Sequence, residues 1–95
     1  MKTALELLDR NSEELKAKLD VSDEVIKKAK EFISKLNGTG MHSKSVAGGA
    51  VYIAGVLIGE RKTQREVALA FGVVETTIRK SYRRIASAAD IEITV

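Results

Sequence analysis

Cysteine and proline are both absent from this sequence of 95 residues, and aromatic residues make up only 4% of it. Without cysteine the chain can form neither a disulfide framework nor a thiolate zinc site, which fits a reducing compartment. No apolar run approaches the roughly 18 residues of a membrane-spanning helix. The opening MKTALELLDR carries acidic residues too early for a signal peptide. With few aromatic residues and abundant Ala, Leu, Lys, Glu and Ile, we expect an all-α fold.

The charge of the chain is small in total but unevenly placed. Its length suits one domain with one modest core, and the formal net charge is +3. Residues 1–36 hold basic and acidic residues in equal numbers, whereas acidic residues are scarce in residues 61–84. A local positive excess of this kind indicates a polyanionic partner. The basic residues of residues 61–84 are Arg61, Lys62, Arg65, Arg79, Lys80, Arg83 and Arg84.

The first two helices are predicted from caps and apolar spacing. Asn11 or Ser12 is expected to cap a short first helix that ends near Leu19. Ser22 is expected to cap the second helix, in which apolar residues recur at helical spacing on one face. The Asn-Gly pair at 37–38 is a plausible left-handed stop for it.

Three more helices follow from the rest of the pattern. The run SVAGGAVYIAGVLIG (45–59) is apolar on nearly all sides, so we expect a buried third helix whose small residues let neighbouring helices approach closely. The sequence TQRE (63–66) matches a capping box that opens a fourth helix. Gly72 is expected to end that helix, and a fifth helix is expected to start near Glu75. Residues 90–95 are expected to form an extended tail.

Residues 63–88 match a helix-turn-helix pattern, because each packing position has the side chain that this geometry needs. Ala68 must be small where the second helix crosses over the first. Gly72 stands where the turn needs a positive φ. The residues expected to pack the unit together are Val67, Ala68, Phe71, Gly72, Val73, Ile78, Tyr82 and Ile85.

The predicted fifth helix has a packing face and a basic face. Thr76, Arg79, Lys80 and Arg83 fall within an arc of about 100°, and the apolar residues lie opposite. The second helix of such a unit enters a DNA major groove. Arginine can bond guanine in bidentate fashion, and a threonine methyl can contact thymine. We therefore expect Thr76 and Arg79 to read bases. The residues expected to contact phosphates or flanking bases are Lys80, Arg83 and, at the start of the fourth helix, Thr63, Gln64 and Arg65.

The polar residues also allow other interpretations. A basic helix face can simply be solvated, and the lysines of the second helix are expected to be a solvated face of this kind. The loop 37–44 resembles a phosphate-binding loop only faintly and follows a helix instead of a strand. His42 has no nearby cysteine or carboxylate, so we expect neither catalysis nor a metal or other cofactor. Tyr52 and Tyr82 are expected in the core.

Five short motifs follow one another along residues 52–83. They are Tyr52-Ile53-Ala54, Thr63-Gln64-Arg65-Glu66, Gly72-Val73, Thr77-Ile78-Arg79 and Tyr82-Arg83. In these motifs and their spacing the chain resembles the second cyclin-like repeat of the transcription initiation factor B family, comprising archaeal factor B and eukaryotic general factor IIB. The resemblance covers about residues 12–88.

The resemblance implies a five-helix, all-α cyclin-like bundle with helix three at its centre, over residues 12–88. Residues 1–11 would be an N-terminal extension or the end of an upstream linker, and residues 89–95 a tail. It also implies a non-enzymatic, monomeric module that acts with TATA-binding protein and, through the full-length factor, with RNA polymerase.

The resemblance further implies binding to double-stranded promoter DNA, in which Thr76 and Arg79 read a purine-rich element upstream of the TATA box. The location would be the cytoplasm of an archaeon or the nucleus of a eukaryote. The alternative is a cyclin-like protein-interaction module without sequence-specific DNA binding.

The sequence departs from the family pattern at several points. Thr76 stands where the family often has valine, which suggests a different element preference. Val74 stands where threonine or alanine is common, so the best cap for the fifth helix is missing. Met41 to Ser43 replace a basic-Ser-Pro approach to the third helix. The family's zinc ribbon and first repeat are absent from this sequence, which is expected to be an excised domain or a short paralogue.

Overall fold

The computed structural model describes residues 3–36 and 42–88. These residues form five α-helices and no strand, which confirms the predicted all-α bundle. The predicted stop at residues 37–38 and the predicted tail 89–95 lie outside the described residues. The helices are α1 (Ala4–Leu19), α2 (Asp23–Ser34), α3 (Ser43–Ile58), α4 (Gln64–Phe71) and α5 (Glu75–Ala88).

Helix α1 begins earlier than predicted. The hydroxyl of Thr3 accepts the Glu6 N–H and caps the helix there. Asn11 donates its side-chain amide to the Leu7 carbonyl, and Ser12 donates its hydroxyl to the Asp9 carbonyl. Both residues thus bond backwards within the helix instead of starting it, so the predicted start at Asn11 or Ser12 is wrong.

The extra turns of α1 belong to the same core as the rest of the bundle. Leu8 is fully buried, and Ala4 is nearly so. Burial of these side chains favours extending the helix over leaving residues 4–11 loose, because the apolar face of an amphipathic helix gains most from packing. Where the functional domain begins and ends stays a prediction.

Helix α2 begins after Ser22, as predicted, but Ser22 does not cap it with its own side chain. Its backbone N–H and its hydroxyl both donate to the carboxylate of Glu60, in the link between α3 and α4. The helix ends at Ser34, before the predicted Leu36, and the Lys35 N–H bonds the Phe32 carbonyl.

Helix α3 is the centre of the fold, as predicted. Every residue from Val46 to Gly55 is buried, and each of the other four helices packs against it. The helix begins at Ser43, slightly before the expected Ser45. It ends where expected, at Gly59, which has a φ of 89° and donates its N–H to the Gly55 carbonyl.

The small residues of α3 let α5 lie directly on it. A methyl group on Gly49 would overlap the Ser81 side chain and lie 2.9 Å from the Tyr82 backbone nitrogen. Ser81 is fully buried and donates its hydroxyl to the Ser45 carbonyl. The rings of Tyr52 and Tyr82 meet at a centroid distance of 4.8 Å. These contacts between α3 and α5 fix the position of α5 on the bundle.

Candidate nucleic-acid interface

Helices α4 and α5 are joined by a short turn with the predicted chemistry. The Thr63 hydroxyl accepts the Glu66 N–H at 3.0 Å, and the Glu66 carboxylate accepts the Thr63 N–H at 3.1 Å. This is the expected capping box. Gly72 has a φ of 69°, and the Val73 N–H bonds the Ala68 carbonyl at 2.9 Å. The glycine is needed because residues with a β-carbon rarely adopt this conformation.

The packing candidates divide into buried and partly buried positions. Val67 and Ala68 of α4 lie in the core, and Phe71 and Val73 are partly buried against it. Gly72 is exposed in the turn. The buried residues of α5 fix one side of that helix to the bundle, so its other side faces outward: they are Ile78, Ser81, Tyr82, Ile85 and Ala86.

The residues predicted to face DNA lie on this outward side. Thr76, Arg79, Lys80 and Arg83 are all exposed. The Arg79 Nε–H donates to the Gln64 side-chain oxygen at 3.4 Å, a long hydrogen bond that links the two helices. Within residues 3–36 and 42–88, no acidic side chain forms an ion pair with Arg79, Lys80 or Arg83. Their charges therefore face solvent without an acidic partner among those residues.

The lysines of α1 and α2 behave differently. Lys16 pairs with Glu13 and Asp23, and Lys18 pairs with Glu14. On α2, Lys28 pairs with Glu31, and Lys30 pairs with Asp9 of α1. Each such exposed pair is worth little to stability. Their importance here is electrostatic, since they neutralise one part of the bundle and leave the positive excess on the α4–α5 part.

The start of α4 lies beside the basic face of α5. Thr63 and Arg65 are exposed and Gln64 is partly buried. The capping box uses the Thr63 N–H as a donor, while the Thr63 hydroxyl accepts the Glu66 N–H and keeps its own proton. Hydrogen bonds from Thr63 hold the pKa of the Glu66 carboxyl below its usual range, which keeps Glu66 negative. The unused donors of the first turn are the N–H groups of Gln64 and Arg65.

Sequence reasoning missed two contacts at this surface. Gln64 was expected to touch the DNA backbone, whereas its side chain also reaches Arg79, which is 15 residues away in the chain. Arg61 and Lys62 were counted only as part of the basic excess of residues 61–84, whereas both line a depression together with Gln64. Nothing in the local sequence could have found these contacts, because they depend on how α4 is placed against α3 and α5.

Other kinds of site are not seen in the described part of the chain. No group of His, Cys, Asp and Glu side chains there could hold a metal ion. His42 is exposed at the N-cap of α3. None of the five helices is both long and apolar enough to cross a membrane.

The fold and this surface together define the class of protein: an all-α, cyclin-like domain whose last two helices are joined at Gly72 by a short turn and carry an exposed basic face. The family model described as "Transcription factor TFIIB repeat" matches residues 3–88. The chain belongs to this family, and the resemblance seen in its sequence motifs is confirmed.

Individual relatives agree with this assignment. The chain is 47% identical over 81 residues to "Transcription initiation factor IIB" of Archaeoglobus fulgidus, covering 81% of the chain and 25% of the relative. It is 49% identical over 74 residues to the protein of the same name in Methanosarcina mazei, covering 76% and 20%. The factor of Methanothermococcus thermolithotrophicus is 42% identical over 83 residues, covering 83% and 24%.

The matched part of the chain thus spans between 20% and 25% of the length of these relatives. Those relatives bear the name of initiation factors, a non-enzymatic family, which agrees with the expectation that this chain is not an enzyme.

Proposed function

We propose that this domain binds promoter DNA in basal transcription initiation and reads a purine-rich element upstream of the TATA box through α5. The observation that carries the proposal is the basic face of α5, whose exposed charges have no acidic partner in the described residues while the opposite face is buried. A helix held in this way presents a rigid, positively charged surface to a duplex.

Arg79 is the principal base reader in this proposal. Its hydrogen bond to Gln64 engages Nε and leaves the two terminal nitrogens of the guanidinium group for guanine O6 and N7. Thr76 lies one turn earlier on α5 and offers a methyl group to thymine.

The remaining cations hold the duplex backbone. Lys80 and Arg83 lie further along α5 than the base readers, and Arg65 lies on the first turn of α4. All three are exposed and make no ion pair with another described residue. Contacts of this kind fix orientation and add affinity, but they carry no base sequence information.

A lone domain of this size is expected to bind weakly, since few phosphates are engaged and affinity falls steeply with salt. We propose that the domain acts with TATA-binding protein, which raises its effective concentration at the promoter. RNA polymerase would be engaged by the full-length factor, with the domain as a monomer. The archaeal relatives favour an archaeal cytoplasm as its location.

A second candidate function is a protein-interaction module without sequence-specific DNA binding. It is favoured by two exposed apolar side chains, Leu69 in α4 and Val74 just before α5, which are 73% and 67% exposed. Exposed apolar side chains can contribute to protein contacts. The two candidates differ in the effect expected from changing α5.

The test is a titration of the domain into labelled promoter DNA with an intact or scrambled upstream element, at two salt concentrations, with and without TATA-binding protein. Arg79→Ala should cost about 1–3 kcal/mol of binding free energy and relax the preference at one base pair. Arg83→Ala, the comparison variant, should weaken binding to both duplexes evenly, because it removes a backbone contact.

Equal binding of the wild type to intact and scrambled elements, under every condition, would favour the protein-interaction module. Binding by Arg79→Ala that equals the wild type on the intact element would remove the base-reading role of Arg79.

A further inference from the structure

The second half of α5 carries a shallow depression of about 500 Å³. It is lined by Lys80, Arg83, Arg84 and Ser87, all of which are exposed. The depression therefore coincides with cations that are proposed to hold the DNA backbone, and it lies on the part of α5 that follows the base readers.

Two of the lining cations have no acidic partner among the described residues. Lys80 and Arg83 lie three residues apart on one helix, a spacing at which like charges repel each other. Neither forms an ion pair with a side chain of residues 3–36 or 42–88. Residues 76–89 contain no acidic residue, and the next acids along the chain are Asp90 and Glu92. Negative charge therefore follows α5 directly in the sequence.

The chain beyond α5 is long enough to bring these acids to the depression. Helix α5 ends at Ala88, and Lys80 lies about 12 Å back along the helix axis. The tail, residues 89–95, is outside the described residues, and seven extended residues span about 23 Å. A chain that turns back after Ala88 therefore passes the whole depression before it reaches residue 95.

The spacing of the two acids matches the spacing of the cations. In an extended segment, the conformation expected for residues 90–95, Asp90 and Glu92 point to the same side about 6.5 Å apart. Lys80 and Arg84 lie on one side of α5, about 6 Å apart along its axis. A tail that runs antiparallel to α5 thus brings Asp90 to the arginine end of the depression and Glu92 toward Lys80.

We propose that the tail docks in this depression in the free domain and competes with the DNA backbone for Lys80 and Arg83. The competition rests on the proposed function, whereas the docking does not depend on DNA. The tether at Ala88 gives the tail an effective concentration on the order of millimolar. Exposed ion pairs are individually weak, so a duplex that engages more cations displaces the tail. The tail thus weakens binding to every duplex without changing the preferred base sequence.

The first test is the promoter titration with the double variant Asp90→Asn/Glu92→Gln. It should bind intact and scrambled duplexes about twofold to fivefold more tightly than the wild type, as expected if the tail covers the cations for half of the time or more. The gain should shrink as salt screens the ion pairs. The control Glu6→Gln/Glu24→Gln removes the same charge from exposed positions of α1 and α2 and should gain much less.

The second test locates the tail without DNA. The chain has no cysteine, so Thr94→Cys provides a single thiol for a nitroxide spin label. The label should broaden the amide NMR signal of Lys80, which lies far enough from the tether to require a tail that turns back. That broadening should fall when Asp90 and Glu92 are neutralised in the labelled protein, and also when a duplex is added.

The outcomes separate this inference from the proposed function. Broadening at Lys80 that neutralisation of Asp90 and Glu92 leaves unchanged would overturn the docking. Equal duplex affinities of the wild type and the tail variant, or an equal gain in the Glu6→Gln/Glu24→Gln control, would overturn the competition and leave base reading by α5 intact. Failure of the wild type to bind any duplex would overturn the proposed function and the competition, while the spin label would still report whether the tail docks.

Discussion

At the scale of single residues, Glu60 connects parts of the chain that sequence patterns treat separately. It lies in the link between α3 and α4, and its carboxylate accepts the Ser22 N–H at 2.9 Å as well as the Ser22 hydroxyl. Its own N–H bonds the Gly55 carbonyl at 2.8 Å. Glu60 thereby ties the start of α2 to the segment that leads into α4.

The Ser22 bonds give Glu60 a pH-dependent role in stability. The hydrogen bond from the Ser22 hydroxyl, and to a smaller extent that from the Ser22 N–H, holds the pKa of the Glu60 carboxyl below its usual value. A carboxyl whose pKa is lower in the folded state stabilises the fold above its unfolded pKa. That stabilisation is lost as the pH falls through the folded-state pKa.

Glu60→Gln should therefore be less stable than the wild type near neutral pH. The difference in unfolding free energy should shrink as the pH falls below about 4.3, the ordinary pKa of glutamate. Urea unfolding followed by circular dichroism across this range measures it. Glu24→Gln, an exposed change in the first turn of α2, is the control and should show little difference at any pH. A Glu60→Gln difference that is the same in acid as at neutral pH would contradict the role.

At the scale of elements, α3 determines where α5 sits. Two adjacent glycines of α3, Gly48 and Gly49, both face α5, but they lie against different parts of it. A methyl group on Gly48 would meet the tip of the Ile78 side chain at 2.6 Å, whereas one on Gly49 would meet Ser81 and the Tyr82 backbone nitrogen. A side-chain tip can move aside, but a helix backbone cannot move without shifting the whole helix.

Gly49→Ala should therefore destabilise the domain by about 1–3 kcal/mol through overpacking. Gly48→Ala is the matched variant and should be close to neutral, since alanine gains about 0.5–1 kcal/mol over glycine within a helix. Chemical unfolding of the two variants under the same conditions measures the difference. Equal stability of the two would show that α5 can shift on α3 more freely than this packing implies.

At the scale of the whole molecule, the charge is divided between two parts of the bundle. The lysines of α1 and α2 mostly pair with neighbouring carboxylates, and the cations of α4 and α5 that face outward mostly do not. Helix α3 packs between α2 and α5. A polyanion approaching the domain is therefore attracted to the α4–α5 part, which orients it before contact.

The salt dependence of DNA binding should reflect this division. Lys80→Gln should reduce the slope of log affinity against log salt concentration by about 1, because one phosphate contact is lost. Lys27→Gln changes an exposed lysine of α2 and should leave the slope unchanged. Fluorescence anisotropy at several salt concentrations measures both. Equal reductions would mean that the domain has no preferred face for DNA.

The features that sequence patterns predicted well are local ones. The capping box of α4, the positive φ of Gly72 and the start of α5 near Glu75 each depend on a few adjacent residues. The burial of α3 follows from its uniformly apolar composition. The start of α1 was predicted wrongly for a related reason: Asn11 and Ser12 are good caps by type, but their side chains bond earlier carbonyls of a longer helix.

The sequence by itself therefore determined the two last helices with the turn between them, the charged face of α5 and the family, because caps, turns and helix periodicity act over a few residues. Only the tertiary structure decided the bond from Ser22 to Glu60, 38 residues apart, and the contact of Arg79 with Gln64. It also decided that Tyr52, a residue of α3, lines a depression together with the start of α4. These depend on how closely α4 and α5 pack on α3, which no local pattern of residues specifies.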